Sequence, residues 1–250
     1  MVSDYTTPNS KVSSTQVVII GWIVLLLGLW QVLKPTVFPS PLEVLLAFPG
    51  LLQDGLASEL FSSFSVNMEA LCLSAIIGLP LSYICRVPLA SPLAQLVAKL
   101  RFVGSAVFFL PLLFLLSSGH WVKVWLLVFG QLFYLVTTMA GIVQNIPQYK
   151  FDDAKTLRMS ERLSVWYVVI RGTVGEAIDA IRDNAAMGWS MLMFVEGVIR
   201  SEGGVGVMIL NNEKHVNFAE VYALSLAILL VGIGQDYIIG QVKKVVCPYA

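Results

Sequence analysis

The spacing of charge constrains this chain more than any other feature. Residues 17–33 carry no charged side chain, nor do 70–85, and extending the latter back to 61 adds only Glu69. Residues 102–122 and 124–148 contain no Asp, Glu, Lys or Arg and are separated by Lys123. Residues 184–199 contain only Glu196, and residues 218–235 only Glu220. A helix needs about 20 mostly apolar residues to cross about 30 Å of hydrocarbon. Lipid leaves backbone polar groups no water to bond, so such runs fold as helices or closed barrels. Six runs of this length and period predict an all-α integral membrane protein with six transmembrane helices.

Composition agrees. The chain is 57% hydrophobic and 13% charged, whereas soluble domains are about 25% charged. Its formal net charge is zero, which leaves no basic field for nucleic acid. Cys72 and Cys85 share one apolar run, too far apart along a helix to bridge, and Cys247 lies near the end. The three read as packing residues, not a disulfide framework. The first run is followed by "KPTVFPSP" and no small-residue cleavage site, so it reads as a retained span.

With both termini in the cytoplasm, the outer loops hold only Lys34, Lys123, Arg200 and Lys214 of the 16 basic residues. The remainder face inward, including Lys150, Lys155, Arg158, Arg162, Arg171, Arg182, Lys243 and Lys244. This is the positive-inside pattern of a multi-pass protein in contact with lipid. Residues 1–16 read as a polar cytoplasmic tail, 17–246 as one membrane domain, and 247–250 as a second short tail. Ser40 is placed to cap a short interfacial helix that starts at Pro41 and ends at Asp54-Gly55, with Leu42, Leu45, Leu46, Pro49 and Leu52 as its apolar stripe. Residues 196–222 read as a polar, glycine-rich outer loop.

The stretch "FDDAKTLRMSERL" (151–163) crowds Asp152, Asp153, Lys155, Arg158, Glu161 and Arg162 into an otherwise apolar protein. It lies in the longest cytoplasmic loop, about 149–182, between spans four and five. Phe151, Ala154 and Leu157 recur at helical spacing, and Ser160 is placed to cap a second helix carrying Leu163, Trp166 and Ile170. Two short helices with a break near Arg158 are expected. A helix this short is not stable alone in water, so its apolar stripe must pack on its own spans or on a cytoplasmic partner.

This segment, "DDAKTLRMSERLSVWYVVI", followed by "AIRDNAAMGWSMLMFVEG", resembles the cytoplasmic loop of ABC-importer permeases. "FPSPLEV", "SGHWVKV", Trp189, Glu196, "GGVGVMI" and "GQDYIIG" resemble the nitrate/sulfonate/taurine-type branch of the binding-protein-dependent transport inner-membrane component family, in order and from about Trp30 onward. The resemblance implies a homodimer of permease copies and a short coupling helix docked on a separate ATPase subunit that binds ATP and Mg. It also implies an extracytoplasmic binding protein that hands over a small solute of the sulfonate, nitrate or taurine kind. It places ATPase coupling at Phe151, Asp152, Asp153, Ala154, Lys155, Leu157 and Arg158. Asp153 stands where the family has Ala, Arg158 where it has Gly, and Arg171 and Gly175 where prolines are common.

No G-x-x-x-x-G-K-[ST] motif is present, so no phosphate-binding loop is expected in the chain itself, and no catalytic or metal site is expected from two separated histidines. Ionisable groups inside spans are candidate functional residues. Glu196, with Trp189 and Met193 on its helix face, is the candidate for the substrate path or a gate. A stand-alone secondary transporter or channel is the alternative, and a membrane enzyme would need a polar cluster at one face.

Overall fold

The computed structural model describes residues 17–19, 21–22, 24–26, 28–31, 38–84, 92, 96–97 and 99–247. The expectations for residues 1–16, Lys34, Cys85, Arg86 and 248–250 lie outside them. Among the described residues there is no strand. The helices are α1 Pro41–Gln53, α2 Leu56–Tyr83, α3 Phe109–Leu115, α4 Gly119–Gln144, α5 Gln148–Thr156, α6 Glu161–Ser164, α7 Val174–Val198, α8 Val205–Lys214 and α9 Phe218–Val246.

Three of these are long and apolar enough to cross a membrane: α2 with 28 residues, α4 with 26 and α9 with 29. They correspond to expected spans two, four and six, with α2 and α4 starting and ending earlier than expected and α9 running on to Val246. The fifth is α7, whose first half carries Glu176, Asp179, Arg182 and Asp183. The first corresponds to an apolar helix, Val17–Gln31, that is only partly described. Expected span three is not one helix. Short 3-10 turns at Leu100–Phe102 and Ser105–Phe108 flank Gly104, whose φ of 75° breaks the path, and α3 ends at Leu115.

The bundle is built on α2, α4 and α7. α2 runs along α4 over the largest helix contact, α7 packs across both, and α9, α8 and α1 close the outside. Leu56, Val124, Leu127, Val128, Leu192, Val195, Ala223 and Leu224 share its core. The outward faces stay apolar: Ile76 and Ile77 on α2, and Leu229, Leu230, Ile233 and Ile238 on α9, are exposed. Helices apolar on both the core side and the outside are those of a membrane-embedded bundle. α1 follows the same logic. Ser40 caps it as expected and Glu43 completes a capping box, with Ser40 N–H donating to Glu43 Oε2 at 2.9 Å and Glu43 N–H to Ser40 Oγ at 3.3 Å. Val44 and Leu51 face the core, while Leu42, Leu45, Leu46 and Leu52 face away from it.

Two assignments are corrected. Lys123 lies inside α4 and not in a loop, because α4 begins at Gly119. The glycine-rich stretch contains a helix, α8, and is not an irregular loop.

Candidate functional site

Three polar features interrupt the apolar bundle. At one end, α5 and α6 form the charged segment. α5 closes with Met159 N–H donating to the Ala154 carbonyl at 3.1 Å and Arg158 N–H to the Lys155 carbonyl at 2.9 Å. That pair of bonds is a Schellman motif, which requires its C′ residue in the left-handed region. Arg158 occupies that position with φ 51°, where glycine meets no steric cost. Ser160 then caps α6, accepting from Leu163 N–H at 3.4 Å. From Glu161 the path stays helical through a π turn at Val165–Ile170 and a 3-10 turn at Arg171–Thr173 into α7.

The apolar stripe of α5 is divided between two surroundings. Ala154 is buried at 4% exposure, and Phe151 packs on the cluster of Val143, Ile146 and Val169. Leu157 is 69% exposed, and Tyr149 is exposed as well. The chain's own helices therefore cover Phe151 and Ala154. Asp152 and Lys155 pair at the surface at 3.2 Å, and Asp153 and Arg158 are exposed as well.

At the opposite end, the start of α8 is locked by side chains from three other helices. The first amides of a helix lack intrahelical acceptors. Gly206 N–H donates to Glu196 Oε2 at 2.8 Å, Val205 N–H to Ser63 Oγ at 3.0 Å, and Gly204 N–H to the Glu59 carboxylate. Ser63 Oγ in turn donates to Glu196 Oε1 at 2.6 Å. Lys123 Nζ donates to the Gly203 carbonyl at 2.6 Å, within electrostatic reach of Glu196, Glu202 and Glu59. Glu196 and Lys123 are 1% and 2% exposed. A carboxylate at a helix N-terminus is favoured by both the free amides and the helix dipole. Gly204, at φ 113°, has no room for a Cβ, which would enter the Glu196 carboxyl group.

Between the two ends runs a belt of neutral polar side chains. Gln131 Nε2 donates to Asn67 Oδ1 at 3.1 Å, and Ser74 Oγ to Gln131 Oε1 at 3.3 Å. Gly188 on α7 lets the three helices close on this pair, since its Cβ would collide with Asn67 and Gln131. Asn184 is fully buried with neither amide atom bonded. Trp189 Nε1 donates to Gln235 Oε1 at 2.7 Å. Beside that bond a cavity of about 300 Å³ opens between α7 and α9, lined by Arg182, Trp189, Gln235 and Asp236 among others. The Arg182 guanidinium grips both carboxylate oxygens of Asp236, and Lys243 Nζ donates to Asp179 Oδ2 at 2.6 Å.

Of the three residues expected on a path or gate, Trp189 lines this cavity. Glu196 and Met193 lie beneath α8, where the Met193 carbonyl would stand 2.7 Å from a Cβ on Gly206. His120 and Glu69 face each other at 2.9 Å. Among the described residues no group of three metal-ligating side chains occurs. Sequence reasoning did not single out Ser63, Gln131 or the pairing of Arg182 with Asp236. An arginine and an aspartate facing each other on apolar helices is the signal that could have found the last.

No family model matches the chain. It is 27% identical over 206 residues, 76% of its own length and 74% of the relative's, to the taurine transport system permease protein TauC of Escherichia coli (strain K12). An all-helical bundle whose outward faces are apolar agrees with that similarity to a transport-system permease.

Proposed function

We propose that the chain is the transmembrane permease subunit of an ATP-driven importer, forming the path for a small sulfonate-, nitrate- or taurine-like solute. It performs no hydrolysis itself. ATP and Mg belong to a separate ATPase subunit that docks at the α5–α6 end, and an extracytoplasmic binding protein delivers cargo at the α8 end. Two copies of the chain pair around the path, and both termini face the cytoplasm of a bacterial inner membrane.

The observation that carries this reading is the form of α5. It is a nine-residue helix closed by a Schellman motif, presenting Leu157 outward among charged neighbours. It is joined through a π turn to the long helix that contributes Trp189 to the bundle core. Force applied at α5 therefore passes one tight turn and then has a helical route from Glu161 to the cavity between α7 and α9. The docking face consists of Tyr149, Asp152, Asp153, Lys155, Leu157 and Arg158, with Phe151 and Ala154 holding the helix from below. Charged rims set partner choice more than affinity.

Gentle extraction of the tagged chain from its host, next to an Asp152→Lys/Leu157→Asp variant, tests the reading. An ATPase subunit accompanies the original chain and is lost from the variant. Absence of an ATPase from both preparations, with the chain folded, would sink the assignment.

A further inference from the structure

We infer that the groove between α2 and the π turn holds an acyl chain of an anionic phospholipid, with the lipid phosphate on Arg171. The groove measures about 580 Å³ and is lined among the described residues by Ala75, Ile76, Leu79, Tyr83, Val165 and Ile170, among others. The site needs only that the bundle is embedded in a membrane, so it stands apart from the transport assignment.

Outward exposure decides what kind of molecule the groove meets. Ile76 and Pro80 on the last turns of α2, and Ile84 just past its end, line the groove and are exposed. Ile77 continues the same exposed apolar surface. A hydrocarbon chain lies along such a wall with no polar group to satisfy. A water-soluble partner would have to carry unbonded backbone into the bilayer to reach it.

Charge complementarity selects the head. Between 158 and 171 the chain carries Arg158, Arg162 and Arg171 against Glu161 alone. Arg162 and Arg171 are exposed and form no ion pair among the described residues. Arg171 follows Ile170 of the groove wall, and its Cζ lies 5.7 Å from the centroid of the Tyr167 ring. Stacking fixes the guanidinium plane and leaves its edge open, and that N–H fork matches two oxygens of a phosphate. Leu163, Trp166 and Tyr167 are exposed on the same segment. Tryptophan and tyrosine beside basic residues belong at the headgroup level, where basic clusters attract anionic lipid. A zwitterionic lipid offers the same chain, but its own ammonium offsets the charge that Arg171 would meet.

The test is native mass spectrometry of the detergent-extracted chain with the subunits that accompany it. After delipidation, phosphatidylglycerol and phosphatidylethanolamine are added in equal amounts. The original chain retains phosphatidylglycerol with a preference of at least about five-fold. Arg171→Gln brings that preference within about two-fold and leaves phosphatidylethanolamine unchanged. Lys244→Gln removes the same charge from the exposed end of α9, outside the groove, and keeps the preference. Ile76→Trp, at an exposed position the core does not use, fills the groove and lowers retention of both lipids at least about five-fold. No preference in the original chain, an equal loss in Lys244→Gln, or undiminished retention by Ile76→Trp overturns the site. Loss of an accompanying subunit from Arg171→Gln, with lipid retention unchanged, also overturns it and makes the segment a protein-docking surface.

Discussion

Lys123 Nζ donates to the Gly203 carbonyl 80 residues away at 2.6 Å, fastening the first turns of α4 to the loop that starts α8. The ammonium is buried at 2% exposure, and the Glu196 carboxylate lies within its field. Lys123→Met keeps the length of the side chain and removes the charge. A hydrogen bond to a charged group contributes about 1.5–3 kcal/mol, so the variant loses about 2 kcal/mol. Thermal unfolding in detergent reads this as a lower midpoint, and an unchanged midpoint contradicts the role given to Lys123.

Gly204 and Gly141 provide an internal contrast. At Gly204 the φ of 113° and the Glu196 carboxyl leave no place for a methyl group, whereas a Cβ on Gly141 meets nothing within 4 Å. Gly141→Ala in the interior of α4 stabilises by about 0.5–1 kcal/mol through helix propensity. Gly204→Ala destabilises by at least about 2 kcal/mol from backbone strain and the collision together. Opposite shifts in unfolding temperature are the expected result.

Two helices end in Schellman motifs whose left-handed position is not glycine: Arg158 at φ 51° and Val216 at φ 62°. At Val216 the bonds are Asn217 N–H to the Asn212 carbonyl at 2.9 Å and Val216 N–H to the Glu213 carbonyl at 3.1 Å. The left-handed conformation costs an L-residue about 1–2 kcal/mol, and a β-branched residue is the less tolerant. Arg158→Gly and Val216→Gly therefore both stabilise, Val216→Gly by more. Hydrogen exchange at the amides of Met159 and Asn217 slows in the respective variants, and faster exchange in both speaks against the strain.

Trp189 and Gln235 form one unit across α7 and α9. Trp189→Phe strands the buried Gln235 oxygen at a cost of about 1–3 kcal/mol. Adding Gln235→Leu recovers part of that loss, so the double variant is less destabilised than the sum of the singles. Additive losses in thermal unfolding show that the bond is not what joins the two positions.

Short-range rules made much of this legible. Ser40 and Ser160 announced their helices, because an N-cap acts on amides within three residues. The break at Arg158 was readable from charge spacing and the end of the apolar stripe. Lys123 was not, since one charge between two apolar runs has the same local pattern as a turn. Its acceptor, 80 positions on, is what lets the charge be buried within the helix. α8 was hidden for a similar reason: its first amides are capped by Glu59, Ser63 and Glu196 from α2 and α7, and no local residue signals that. The stripe of Phe151, Ala154 and Leu157 was visible, but its division between the chain's own core and the exterior follows from how α4 and the π turn pack beneath it.

The central claim is that the outward face of α5 meets a separate ATPase, and a photo-cross-linking side chain at Leu157 tests it most directly. Ile76, exposed on the lipid-facing side of α2, serves as the comparison position. Irradiation of host membranes is expected to join the residue-157 variant to an ATPase subunit and the residue-76 variant to none. No ATPase product from position 157, or equal product from both positions, contradicts the account.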